Sequence, residues 1–211
     1  MSEIKYNDNH EVNRSGNEDF RNIKPENGMT KLEAREIMKG WFDKSLGEQN
    51  KEYNQILSGE KMIRPDDSNI EKGNKSEIIV DKHLSTSGYD RISTDRVKNV
   101  EDSTHQGIDG VYYRKNGEPE YLIVDTKYGS SKLSDTLDGK QMSWNWINSR
   151  LDQSVGKENA DKIRNLKLDN PDKIGCYVAH VDSKDGVHVS FDKLDDNASV
   201  CGKDVNLNAK R

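Results

Sequence analysis

An α/β or α+β fold is the class this sequence predicts, and three observations predict it. Two β-rich runs, 108–113 and 120–127, flank an Asn-Gly turn signal and read as a hairpin. Helix-spaced apolar residues lie on either side of it, over 76–89 and 138–155. Two more β-rich runs, 175–181 and 186–191, flank a Ser-Lys-Asp-Gly turn. The order helix, strands, helix, strands predicts a central mixed sheet flanked by helices, in a domain over 71–195.

Each element has its own signal. Residues 1–29 carry only scattered apolar side chains among Asn, Asp, Glu, Lys and Arg, too few to offset chain entropy, and read as a mobile arm. Thr30 and Glu33 have capping-box spacing, and Ala34, Ile37, Met38, Trp41 and Phe42 behind them form one helical stripe. The polar stretch 47–75, punctuated by Gly59, Pro65 and Gly73, reads as a linker with one short helix near 53–57. Residues 1–70 therefore form an arm and helical segment preceding the domain. The helix over 76–89 ends at Gly88. The one over 138–155 starts with Asp138 as cap and Gln141 at N3, above Met142, Trp146, Ile147 and Leu151. A further polar helix covers 157–167, and 196–211 read as a weakly structured polar tail.

Composition narrows the function classes. The chain has 211 residues, 33 Lys+Arg against 38 Asp+Glu, a formal charge of −5 and only 31% hydrophobic residues. Its mean hydropathy is −1.05. Nothing approaches the roughly 18–20 apolar residues of a membrane helix, and the first eleven residues lack a signal-peptide core. Two cysteines cannot build a disulfide scaffold, and no Cys-x-x-Cys or His-x-x-x-His pair suggests a zinc site. Net acidity argues against tight, non-specific duplex binding. It leaves room for a cleft made locally positive by a metal with Lys127, Lys132 and Lys140.

The residues that carry chemistry lie on the hairpin. Strand side chains alternate, so Asp125 and Lys127 share one face while Val124 and Thr126 take the other. Antiparallel pairing brings Asp109, at the start of the first strand, beside them. Two carboxylates and an ammonium at one sheet end suit metal-assisted phosphodiester cleavage. The carboxylates hold a hard cation, Mg²⁺ or else Mn²⁺ or Zn²⁺, and the lysine serves the attacking water. Asp-x-Lys on a solvated strand, with Asp109 as a turn residue beside Gly110, is the plainer reading.

The run 107–147, GIDGVYYRKNGEPEYLIVDTKYGSSKLSDTLDGKQMSWNWI, resembles the core of PD-(D/E)XK, restriction-endonuclease-like nucleases. It is most similar to the toxin branch at the C-termini of polymorphic toxins, including contact-dependent growth-inhibition (CdiA) effectors and the LXG toxins of Gram-positive bacteria. The resemblance matches Asp109 to the first acidic residue, Asp125-Thr126-Lys127 to the (D/E)XK strand and 138–143 to a D-G-K-Q-M-S run. It implies a restriction-endonuclease-like core and a metal-dependent endonuclease. It also implies secretion or cell-surface delivery by a producing bacterium, action in a target-cell cytoplasm, and a cognate immunity protein. Residues 1 to about 70 would then belong to a delivery or cytoplasm-entry segment. Both tRNases and DNases occur in this branch, and the missing basic surplus favours RNA, with tRNA the expected target, over DNA.

The resemblance also implies an acidic residue on the preceding helix. Glu77 is the candidate, with Asp81 one turn on as its substitute, though Glu77 also reads as an ordinary first-turn glutamate. Gln141 has a supporting role as an alternative to capping. His105 and Lys132 are further supporting candidates near the mouth of the site, and each also reads as a plain exposed residue. Trp144 and Trp146 read as packing residues or a base platform. His180 and His188 have no tie to the site, and a link between Cys176 and Cys201 stays open. A non-catalytic binding module or an immunity protein is the rival of another class, but nothing in such a role requires Asp109, Asp125 and Lys127 to converge.

Overall fold

The computed structural model of the chain describes residues 31–103, 106–203 and 207, with side chains in the first helix described from Lys39 onward. The 1–29 arm, the Thr30–Glu33 cap, the side chains of Ala34, Ile37 and Met38, and His105 lie outside the described residues. In chain order the elements are α1 (Lys31–Leu57), α2 (Asn69–Thr86), β1 (Asp90–Arg91), β2 (Gly110–Tyr113) and β3 (Tyr121–Tyr128). A small pair follows, β4 (Asp135–Thr136) and β5 (Gly139–Lys140), then α3 (Trp144–Asn148) and α4 (Leu151–Asp169). The last strands are β6 (Ile174–Asp182), β7 (His188–Leu194) and β8 (Val200–Lys203).

The fold is α+β, built on a mixed six-stranded sheet of order β1-β2-β3-β6-β7-β8. Only the β3–β6 pair is parallel, and α3 and α4 make the crossover between those two strands. Alternation along β3 splits the core in two. Leu122 and Val124 face a cluster with Ile56 of α1 and Ile78 and Leu84 of α2. Ile123, on the other face, packs with Ile147 of α3 and Leu151 and Ile163 of α4. Those two layers cover most of the sheet but leave the C-terminal end of β3 partly open: Lys127 is partly exposed on the α3/α4 face, and Thr126 and Tyr128 on the α1/α2 face.

Four expectations change. The stretch 47–75 is mostly helical, because α1 runs 27 residues to Leu57 and α2 begins at Asn69. Its polar residues look like linker only until their partners are known. Gln49 and Glu52 are buried, with Gln49 Nε2 donating to Asp81 Oδ2 at 2.6 Å and Lys61 Nζ to Glu52 Oε1 at 2.8 Å. The cap of α2 is a Ser68–Glu71 capping box. Its end is as expected: Ser87 caps it and Gly88, at φ 84°, turns the chain.

The helix over 138–155 is the second change. Met142, fully buried, has φ 68°, which ends any helix there, and Gly139 at φ 106° closes the β4–β5 turn. Helix begins only at Trp144, so Asp138 and Gln141 are not cap and N3 residues. Third, the helix over 157–167 forms as expected and runs on to Asp169, and what changes is the segment from Leu151 joined to it across Gly156, whose φ of 74° is not helical. Fourth, the tail contributes β8, which pairs with β7. No helix among the described residues is long and apolar enough to cross a membrane.

Candidate active site

The register of β2 on β3 decides what meets at the open end of the sheet. Gly110 lies opposite Val124, so Asp109, one residue earlier, falls beside Asp125. The Thr126 backbone N–H donates to Asp109 Oδ2 at 2.7 Å. A side chain thus takes the place of the ladder partner that β2 no longer supplies.

Asp125 has no exposed surface. Gln141 Nε2 donates to its Oδ1 at 2.5 Å, and Lys127 Nζ stands 2.5 Å from Oδ2. Gln141 is itself held by the loop, since its Oε1 accepts from Ser134 N–H at 3.2 Å and its own N–H donates to Ser134 O at 2.8 Å. The supporting role expected of Gln141 therefore has a contact behind it, reached from a loop and not from a helix. Burial pushes the Asp125 carboxyl up to about 7, and the Asp109 charge pushes the same way against Lys127 and Gln141.

Glu77 approaches from α2 on the other side. It is half-buried with Oε2 inside, and burial raises its carboxyl well above the usual range. The Asp109 charge is the next largest cause, Asp81 and Asp125 add to it, and Arg91 opposes. The Asp109 charge thus acts on both Glu77 and Asp125, with Arg91 the cation facing Glu77 and Lys127 the one facing Asp125. Asp81 is spoken for. Arg91 Nη1 donates to its Oδ1 at 2.6 Å, and the Tyr112 hydroxyl and Gln49 also donate to it. Burial pushes the Asp81 carboxyl up, but Arg91, Arg96, Tyr112 and Gln49 together bring it below the ordinary value.

Sequence reasoning missed Arg91. Its side chain, 4% exposed, also donates through Nη2 to the carbonyl oxygens of Asp95 and, at 2.5 Å, Asp109. It clamps the main chain that carries a site carboxylate to the floor of α2. The two arginines of DRISTDR, Arg91 and Arg96, give no pattern to read. Gly110 did carry a signal: a Cβ there would lie 2.5 Å from the Tyr112 ring, so glycine lets that ring reach Asp81. Ser93, whose Oγ accepts from Val111 N–H at 3.1 Å, completes the support of β2.

The remaining candidates separate. Lys132 is exposed on the loop after β3 and has no contact with Asp109 or Asp125. Trp146 is buried with the Arg150 guanidinium 4.3 Å from its ring, and Lys167 Nζ lies 5.2 Å from the Trp144 ring, so both are packing residues. His180, which no sequence signal tied to the site, stands opposite Lys127 in the β3–β6 register. Cys176 and Cys201 are both free, and burial pushes the Cys176 thiol up to about 12.

Among the described residues, no three His, Cys, Asp or Glu side chains stand close enough together to hold a metal ion as they are placed. The donor chemistry nevertheless suits a hard cation. Glu77, Asp109 and Asp125 offer only carboxylate oxygens, and their mutual repulsion is what a divalent ion would relieve. The set lacks the nitrogen and sulfur ligands that favour Zn²⁺. No family model, no curated protein and no solved structure matches the chain.

Proposed function

We propose that the chain is a metal-dependent endonuclease of the PD-(D/E)XK class that acts as an interbacterial toxin. One observation carries the reading: Asp109 is fixed by the Thr126 N–H beside a buried Asp125 whose Oδ2 faces Lys127. A purely structural hairpin has no use for two carboxylates and an ammonium at its end, since their desolvation is costly. The element order supports the reading too. Helices α1 and α2 precede three strands, β1 to β3, that pair antiparallel in turn, and a helical crossover leads to β6, parallel to β3. That is the arrangement expected of a restriction-endonuclease-like core.

Glu77, Asp109 and Asp125 would hold Mg²⁺ or Mn²⁺, which when bound polarises the phosphate and lowers the pKa of water. The chain's own groups do the rest. Gln141 fixes the orientation of the Asp125 carboxylate, and Thr126 N–H fixes that of Asp109. Lys127, 16% exposed, reaches solvent from beside Asp125, where its amine orients the attacking water and steadies charge on the phosphate oxygens. Arg91 keeps the Asp109 main chain in place.

The substrate is a nucleic acid, with RNA favoured over DNA and tRNA the expected target, because a charge of −5 does not suit a non-specific duplex binder. A toxin of this kind is delivered from the producing bacterium, acts in the target-cell cytoplasm, and requires a cognate immunity protein. The test is incubation of the purified chain with total tRNA and with plasmid, each with Mg²⁺, Mn²⁺ or Zn²⁺. Cleavage of either by wild type and not by Lys127→Ala supports the reading. Cleavage of neither, or equal cleavage by Lys127→Ala, overturns it.

A further inference from the structure

A groove of about 270 Å³ lies beside the carboxylate cluster, on the neighbouring strand. Its floor is apolar, made by Val178, Leu194, Ala198 and Val200, and its rim carries Ser131, Lys132, Lys140 and His180. Two independent connections join it to the site. On the sheet, Val178 and His180 stand opposite Asp125 and Lys127, and side chains in register on neighbouring strands share a face. On the loop, Lys140 directly precedes Gln141, the residue that holds Asp125.

The chemistry of the groove has two parts. Buried Val178, Leu194 and Ala198 with exposed Val200 offer a dry surface without a hydrogen-bonding code. Basic side chains stand above it. Lys132 is exposed, Lys140 is half-buried with Nζ donating to Ala198 O at 2.8 Å, and His180 Nε2 is 3.9 Å from Asp192 Oδ2. Lys132 makes no ion pair among the described residues and is available to an anion. An apolar floor under a free ammonium, one strand over from the proposed phosphodiester-cleaving site, matches one nucleotide of a single strand. Its base and sugar fit against the floor and its phosphate against the rim.

We infer that the groove formed by β6, β7, Ala198, Val200 and the 131–140 loop holds the nucleotide adjacent to the scissile phosphate, unpaired, with its phosphate on Lys132. This rests on the nuclease reading for the place of the scissile bond, but the groove's own occupancy is measured without cleavage. In a full-length Asp125→Asn background, fluorescein-labelled single-stranded oligoribonucleotide and oligodeoxyribonucleotide are titrated in magnesium buffer and followed by anisotropy. Lys132→Glu and Val200→Glu are added in turn, both at exposed positions where folding is not at stake (Val200 is 61% exposed). Lys157→Glu, on exposed α4 surface, is the control of equal charge change.

The expected result is at least tenfold weaker binding for each groove variant and less than twofold for Lys157→Glu. A stronger effect on one oligonucleotide identifies the sugar that the groove accepts. Absence of binding by the parent, unchanged binding by the groove variants, or equal weakening by all three overturns the inference. Cleavage by the unmodified chain is scored separately. No cleavage with groove-dependent binding removes the nuclease reading alone, and cleavage with groove-independent binding removes the groove alone.

Discussion

Asp81 and Asp125 are both buried carboxylates near the same end of the sheet, yet they are held in opposite states. Asp81, on α2, receives Arg91, Tyr112 and Gln49, and its carboxyl lies below the ordinary range. Asp125, on β3, receives Gln141 and Lys127 but faces Asp109, and its carboxyl rises to about 7. Burial is comparable, so the surroundings decide. One charge is fully compensated and acts as structure. The other is left with uncompensated negative neighbours, the condition under which a carboxylate recruits a cation or a proton.

The contrast is broken most visibly by activity. Lys127→Ala and Asp125→Ala are expected to lower the cleavage rate by about 10³-fold or more, within the range for a lost acid–base or charge-stabilising group. Initial rates on the cleaved substrate check this, with the folded fraction matched by circular dichroism.

Stability gives the next largest effect, with opposite signs. Arg91→Ala leaves Asp81 buried without its cation and is expected to lower the unfolding free energy by about 3–5 kcal/mol. Asp125→Asn relieves repulsion with Asp109 and is expected to raise it at pH 8. Urea denaturation of the two variants side by side decides the matter, and equal destabilisation by both erases the contrast.

The pH dependence follows from the same two states. Asp125 binds its proton more tightly folded, at about 7, than unfolded, at about 3.9, so its burial is tolerated at low pH. Its contribution to stability falls as pH rises from about 4 to about 7, by up to about 4 kcal/mol at 1.4 kcal/mol per unit. Glu77, also raised, acts in the same direction. Asp81 acts oppositely, contributing above the ordinary aspartate range and losing that contribution as acid protonates it. Metal-free protein should therefore melt at lower temperature at pH 8 than at pH 5.5, and Asp125→Asn should flatten the difference.

A divalent cation sharpens the comparison with a smaller effect. Mg²⁺ at about one hundred times its dissociation constant stabilises by about 2.7 kcal/mol. The gain should be largest at pH 8, where Asp125 is ionised, and absent in Asp125→Asn. Thermal melts with and without chelator measure it, and a gain equal in both proteins places the ion elsewhere.

Particular residues show how far the sequence reaches. Period-two alternation in 120–127 was enough to put Asp125 and Lys127 on one face, and the Asn-Gly signal was enough to pair them with Asp109. Both are local rules that operate within one hairpin. The stretches 47–75 and 138–155 went differently. Gln49 and Glu52 look like solvated linker until Asp81 and Lys61 are seen beside them. Residues 138–155 look like one helix until the left-handed backbone at Met142 is seen. Arg91 left no trace in spacing, because its partners come from 81, 95, 109 and 112.

The sequence by itself determined an α+β pattern and a hairpin that carries two carboxylates and a lysine to one end. Hydrophobic alternation and turn chemistry depend only on neighbours in the chain. Tertiary structure alone decided which buried carboxylate has its charge compensated and which is driven by burial and a negative neighbour to hold its proton. It also joined α1 to that decision through Gln49, and it opened a groove beside Asp125 between β6, β7 and a loop. Charge compensation and cavities are set by side chains that meet across the fold, and their distance in sequence says nothing about that meeting.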